Sequence, residues 1–128
     1  MLRMKTTIKP FLTVNNAIEA VDFYINAFGA AESKRYSLKN NKLSSVITID
    51  DAEFYLSDEE SCDGTQTAGQ PLSTSIRIIL ETKNADNIFE NALKYGAAEI
   101  CPMTTEEDWR IGKLKDPFGH IWEIGYPI

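Results

Sequence analysis

Apolar and polar positions run through this chain with two alternating periods, and the pair of periods occurs twice. Residues 9–14 form a short run of β-branched and large apolar side chains, which predicts a strand. Immediately afterwards Ala17, Ala20, Val21, Tyr24, Ala27 and Phe28 recur at three- and four-residue steps, the spacing of a helix with one buried face, and Asn16 is placed to cap its first turn. Gly29 follows, where such a helix ends in a left-handed residue that penalises a side chain. Three further runs, 33–39, 43–49 and 53–57, predict strands separated by the turn-forming pairs Asn40-Asn41 and Asp50-Asp51.

The same order then returns. Ile8, Lys9, Leu12, Asn16 and Ala17 reappear 68 positions later as Ile76, Arg77, Leu80, Asn84 and Ala85, and Gly29-Ala30-Ala31-Glu32 reappears as Gly96-Ala97-Ala98-Glu99. Residues 77–82 predict a strand, and Asn84 precedes a helix carrying Ala85, Ile88, Phe89, Ala92 and Leu93. Residues 99–103, 110–115 and 121–125 predict three more strands, the last two joined by the turn Asp116-Pro117-Phe118-Gly119. The expectation is one α+β domain over 1–128, with βαβββ modules at about 6–60 and 75–128 and a polar linker at about 61–74. One helix cannot cover both faces of a curved four-stranded sheet, so two modules meeting edge to edge predict a half-open mixed β-barrel with its helices outside. A small ligand would sit in its concave cleft.

Strand alternation assigns side chains to that cleft. On the first strand of each module, Pro10, Leu12 and Val14, and likewise Ile76, Ile78 and Leu80, suit the helix side; Lys9, Phe11 and Thr13, and Arg77, Ile79 and Glu81, face the other way. On the last strands Phe54, Leu56, Trp122 and Ile124 are core, which leaves Tyr55 and Glu123 toward the cleft. A net charge of -6 with no dense Lys/Arg stripe argues against nucleic acid and anionic membranes as partners. No apolar run reaches membrane-spanning length and no signal-type core follows the first residues, so the protein is read as cytoplasmic. Cys62 and Cys101 lie in different segments, as reduced structural thiols rather than a metal knuckle or redox pair.

Several stretches are similar to the glyoxalase, bleomycin-resistance and extradiol-dioxygenase (vicinal oxygen chelate) superfamily, and in particular to its small PhnB-like branch. These are Lys9-Pro10-Phe11-Leu12-Thr13-Val14, Ala20-Val21-Asp22-Phe23-Tyr24, Ala27-Phe28-Gly29-Ala30, Asp108-Trp109-Arg110-Ile111-Gly112 and Asp116-Pro117-Phe118-Gly119-His120-Ile121-Trp122. The resemblance implies the barrel just described, and in the glyoxalase I type a divalent metal held by two His and two Glu on the first and last strands of each module. The matching positions here are Lys9, Tyr55, Arg77 and Glu123. Only Glu123 fits, since ammonium and guanidinium groups stay protonated and repel a cation. His120, the single histidine, follows a turn and is expected to hydrogen-bond near the strand's start. No metal or other cofactor is therefore expected.

Each candidate has a functional and a structural reading. Glu123 is a general base, a ligand anchor, or the partner of an internal ion pair with Lys9 or Arg77. Lys9 and Arg77 bind an anionic or carbonyl-bearing ligand, or balance Glu123 and Glu81. Tyr55 donates to a ligand or fills the space of a vanished metal shell. Trp109 covers a bound ligand or anchors a dimer or sheet edge. Residues 58–60 and 106–108 read as solvated acidic loops, the second of which could gate the cleft together with Trp109 and Arg110. The leading functional expectation is metal-independent binding of a small amphipathic molecule, in the manner that bleomycin-resistance-type proteins imply, at Lys9, Phe11, Tyr55, Arg77, Ile79, Trp109 and Glu123. The alternatives are a glyoxalase-like lyase or isomerase using Glu123 as base or in an atypical metal site, and a regulatory module with a collapsed cleft. The resemblance also implies a homodimer, with modules paired within or between chains.

Overall fold

A computed structural model of the chain describes residues 6–59 and 75–128. In the first module β1 (Phe11–Val14) leads into α1 (Ala17–Phe28), followed by β2 (Ala31–Ser37), β3 (Leu43–Ile49) and β4 (Ala52–Asp58). The second repeats the order with β5 (Ile78–Glu81), α2 (Ala85–Lys94), β6 (Ala98–Glu106), β7 (Trp109–Lys115) and β8 (Ile121–Pro127). Each module is a four-stranded mixed sheet, ordered β1-β4-β3-β2 and β5-β8-β7-β6, in which the first strand runs parallel to the last and the other pairs are antiparallel. The expected linker at 61–74, with Cys62, lies outside the described residues.

The local reasons for these elements are visible at their ends. The Asn16 side chain accepts from the Glu19 N–H at 3.1 Å and caps α1 as expected, and Gly29 closes the helix at φ 68°. Asp58 departs from its reading as part of a solvated loop. It ends β4, and its carboxylate accepts from the N–H of Ala17 at 2.9 Å and of Leu43 at 3.0 Å, so it satisfies the α1 terminus from across the sheet. Asn84 is likewise not a side-chain cap. Its backbone sits at φ -89°, ψ 22°, off the extended conformation that aims a capping oxygen, and its Oδ1 accepts from the Asn87 side chain instead.

Burial follows the predicted alternation. Leu12, Val14, Phe54 and Leu56 meet α1 on one sheet, and Leu80, Leu114, Trp122 and Ile124 meet the helices on the other, all within one hydrophobic cluster. Trp122 reaches across the modules, with ring centroids 4.8 Å from Phe28 and 5.5 Å from Phe54. Pro10 and Ile76, which precede β1 and β5, are exceptions to the parity: both are exposed, Ile76 to 72%, and they line an apolar groove with Phe11, Ile78 and His120 between the free edges of β1 and β5. The two sheets face each other across that groove as separate four-stranded units, so the barrel is not closed. No described helix is long and apolar enough to cross a membrane.

Candidate functional site

Strand register arranges the outward face of the first sheet into rungs. The middle rung runs Phe11, Tyr55, Val46, Lys34 across β1, β4, β3 and β2, and the next runs Thr13, Ser57, Ser44, Tyr36. Thr48 and Glu53 pair on the other side of the middle rung. The floor thus passes from a charged end through an aromatic and aliphatic strip to a row of hydroxyls. A depression of about 310 Å³ opens over it, lined by Phe11, Lys34, Tyr36, Val46, Glu53 and Tyr55 with nearby serines.

Three of the expected site residues meet here. Phe11 and Tyr55 are 5.7 Å apart by ring centroids, and the Lys9 ammonium stands 5.5 Å from the Tyr55 centroid. Lys9 also donates a short hydrogen bond to Glu53, a partner that parity alone did not single out. That bond to Glu53, reinforced by Tyr55, raises the Lys9 pKa, and the same bond from Lys9 lowers the Glu53 carboxyl below the ordinary carboxylate value. Lys34, Tyr36, Val46 and Glu53 are additions to the expected set. Alternation along β2 and β3 could have signalled the first three, except that a bulge between Glu32 and Lys34 shifts the phase of β2.

The second sheet carries different chemistry at the equivalent rung, which reads Ile79, Glu123, Lys113, Cys101. Glu123 accepts Arg77 Nε at 2.6 Å and lies 3.5 Å from Lys113 Nζ, with only 12% of its side chain exposed. The expected pairing of Glu123 with Arg77 is therefore present, Lys113 is the second cation, and Lys9 belongs to Glu53. Ile79 stands beside Glu123 in register and is 62% exposed. Trp109 is not brought to either group. It opens β7, opposite Pro127, in a separate depression with Glu106, Glu107, Asp108 and Ile111. Those three acidic residues are exposed, as a solvated hairpin should be. Cys101 is a free thiol, as expected, and stands exposed on the β6 edge.

These residues do not suit the metal that the fold implies. The four equivalent positions offer an ammonium and a guanidinium, each already joined to a carboxylate, a phenol, and one carboxylate shared by two cations. Among the described residues no three His, Cys, Asp or Glu side chains gather as a metal-holding group. His120 is engaged elsewhere: its Nε2 donates to the Thr13 carbonyl at 3.0 Å, which puts the proton on that nitrogen and ties the β8 entry to the edge of β1.

The turn before it, read as a hairpin turn without catalytic role, holds a buried side chain that accepts four hydrogen bonds. Asp116 is 2% exposed; its Oδ1 accepts from the N–H groups of Phe118 and His120 at 2.9 and 3.0 Å, and its Oδ2 from Trp122 Nε1 at 2.9 Å and from the Tyr24 hydroxyl. Burial, followed by the charge of Asp116, pushes the Tyr24 pKa well above its ordinary value.

Two βαβββ modules, helices on one side and an open cleft face on the other, define the glyoxalase type of fold. A glyoxalase family protein from Bacillus cereus superposes with a TM-score of 0.74 at 11% identity, covering 99% of this chain and 97% of that one. The fosfomycin resistance protein FosX of Listeria monocytogenes, complexed with Mn(II) and sulfate, superposes with a TM-score of 0.69 at 13% identity over 98% of this chain and 95% of that one. In sequence, the uncharacterized protein Mb0911c of Mycobacterium bovis is 31% identical over 133 residues, 99% of this chain and 87% of the relative. No family model matches the chain. The chain belongs to one family with the mycobacterial protein and has the glyoxalase type of fold.

Proposed function

We propose that the protein binds a small amphipathic molecule over the first module's sheet, without a resident metal. The observation that carries this reading is that Lys9 and Arg77, standing where the superfamily's metalloenzymes place histidines, are both consumed by carboxylates of this chain, while the Phe11–Tyr55 strip beside them stays open. An aromatic strip with a few polar groups is how a small-molecule site obtains affinity from apolar contact and orientation from hydrogen bonds. The Glu123 oxygen that a base would use is engaged by two cations, which favours binding over proton abstraction.

The same reading takes the protein as a cytoplasmic member of the PhnB-like branch that works as a homodimer. Ile79 is 62% exposed, and with the unpaired edges of β1 and β5 it provides an apolar surface suited to self-association. The test of binding is a thermal-shift screen over small amphipathic compounds, because a ligand of the folded state raises the melting temperature by mass action. The expected result is a set of saturable hits that Tyr55→Ala or Phe11→Ala abolishes. Absence of any saturable hit would overturn the reading.

A further inference from the structure

We propose that the ligand is a small aromatic anion, its ring laid on the Phe11–Tyr55 strip and its carboxylate or similar oxyanion held by Lys34; this rests on the binding reading above and narrows it to one chemical class. The register puts a hydrophobic surface and a cation on the same rung, in the order Phe11, Tyr55, Val46, Lys34. Lys34 makes no ion pair among the described residues, whereas Lys9 is bonded to Glu53. The wall of the depression carries Lys34 and Glu53, and Lys9 beside it neutralises Glu53, so the three charges together leave one ammonium in excess in a protein whose net charge is -6. A local excess of positive charge in an acidic chain selects for anions and repels cations.

Aromatic rings by themselves would also suit a cationic ligand, but the Lys9 ammonium, 5.5 Å from the Tyr55 centroid, repels a second cation there. The rung beyond, with Ser44 and Tyr36, supplies hydroxyl donors beside Lys34 that can complete an oxyanion's hydrogen bonds. The space of about 310 Å³ is at the lower limit of ligand pockets, which run from roughly 300 to 1,000 Å³, and a single substituted ring fits it. The second module cannot offer the same site, because its equivalent rung is filled by the Glu123 ion cluster.

The probes are phenylacetate, 2-phenylethanol and 2-phenylethylamine, which share a ring and differ in charge, titrated into the full chain and followed by calorimetry and by the ring resonances of Phe11 and Tyr55. Phenylacetate is expected to bind at least about tenfold more tightly than the other two, and to weaken with added salt. Lys34→Ala should remove that preference and Lys34→Arg should keep it, while Tyr55→Ala weakens all three. Equal or tighter binding of the amine or the alcohol at the same resonances would overturn the anion assignment and leave the binding reading standing. Phenylacetate affinity unchanged in Lys34→Ala would also overturn it. If none of the three perturbs Phe11 and Tyr55, the assignment fails, and the wider screen decides the binding reading separately.

Discussion

The hydroxyl of Tyr24, on the first helix, donates a hydrogen bond to the carboxylate of Asp116, 92 positions further along in the hairpin turn of the second module. With Trp122 on the same oxygen and two backbone N–H groups on the other, this bond anchors one module's helix to the other module's turn. Tyr24→Phe is expected to lower unfolding free energy by about 1.5–3 kcal/mol, the range for a hydrogen bond to a charged group. Asp116→Ala strands several buried donors and should cost about 3–5 kcal/mol. Urea denaturation of both variants measures this, and a Tyr24→Phe protein as stable as the parent would remove the bond from any structural role.

Alkaline pH should expose the same contact. The Tyr24 pKa is raised by folding, so its stabilising contribution is complete below the ordinary tyrosine value of 10.0 and declines as pH rises from there toward the folded-state value. Melting temperature should fall above that pH in the parent and fall less steeply in Tyr24→Phe.

Two glycines should respond differently to the same substitution. A Cβ on Gly125 would lie 2.1 Å from the Arg110 carbonyl oxygen, a rigid backbone clash that should destabilise by about 3 kcal/mol. Gly29 has open space around its Cβ position but a φ of 68°, so Gly29→Ala should lose only about 1 kcal/mol through backbone strain. Equal losses would contradict this division between crowding and conformation.

Metal removal should do nothing. Protein purified without chelator is expected to carry less than stoichiometric transition metal, and an excess of EDTA should leave its melting temperature unchanged, because the Glu123 neighbourhood is cationic. A stoichiometric metal that disappears in Glu123→Ala would return metalloenzyme chemistry to this cleft.

Sedimentation at micromolar concentration should give twice the 14.4 kDa chain mass. Ile79→Glu should shift it toward monomer. A monomer at all concentrations would refute the dimer.

Much of this molecule was legible before its structure. The helical spacing from Ala17 to Phe28, the stop at Gly29 and the parity that buries Trp122 and turns Tyr55 and Glu123 outward all appear in the coordinates. Each is a local matter: the backbone's own period decides which way a side chain points, and the neighbours in sequence carry that period. The repeat extended these local readings to a whole architecture.

Partnership was decided only by tertiary structure. That Lys9 takes Glu53 and Lys113 joins Glu123, that Lys34 and Tyr36 line the same floor as Phe11, and that Trp109 stands apart all depend on register between strands. Register is set by hairpin geometry and by bulges such as the one at Ser33, where a one-residue slip reverses every facing. Asp116 makes the same point more sharply, for its role comes from a tyrosine in the other module, and only folding brings those two side chains together.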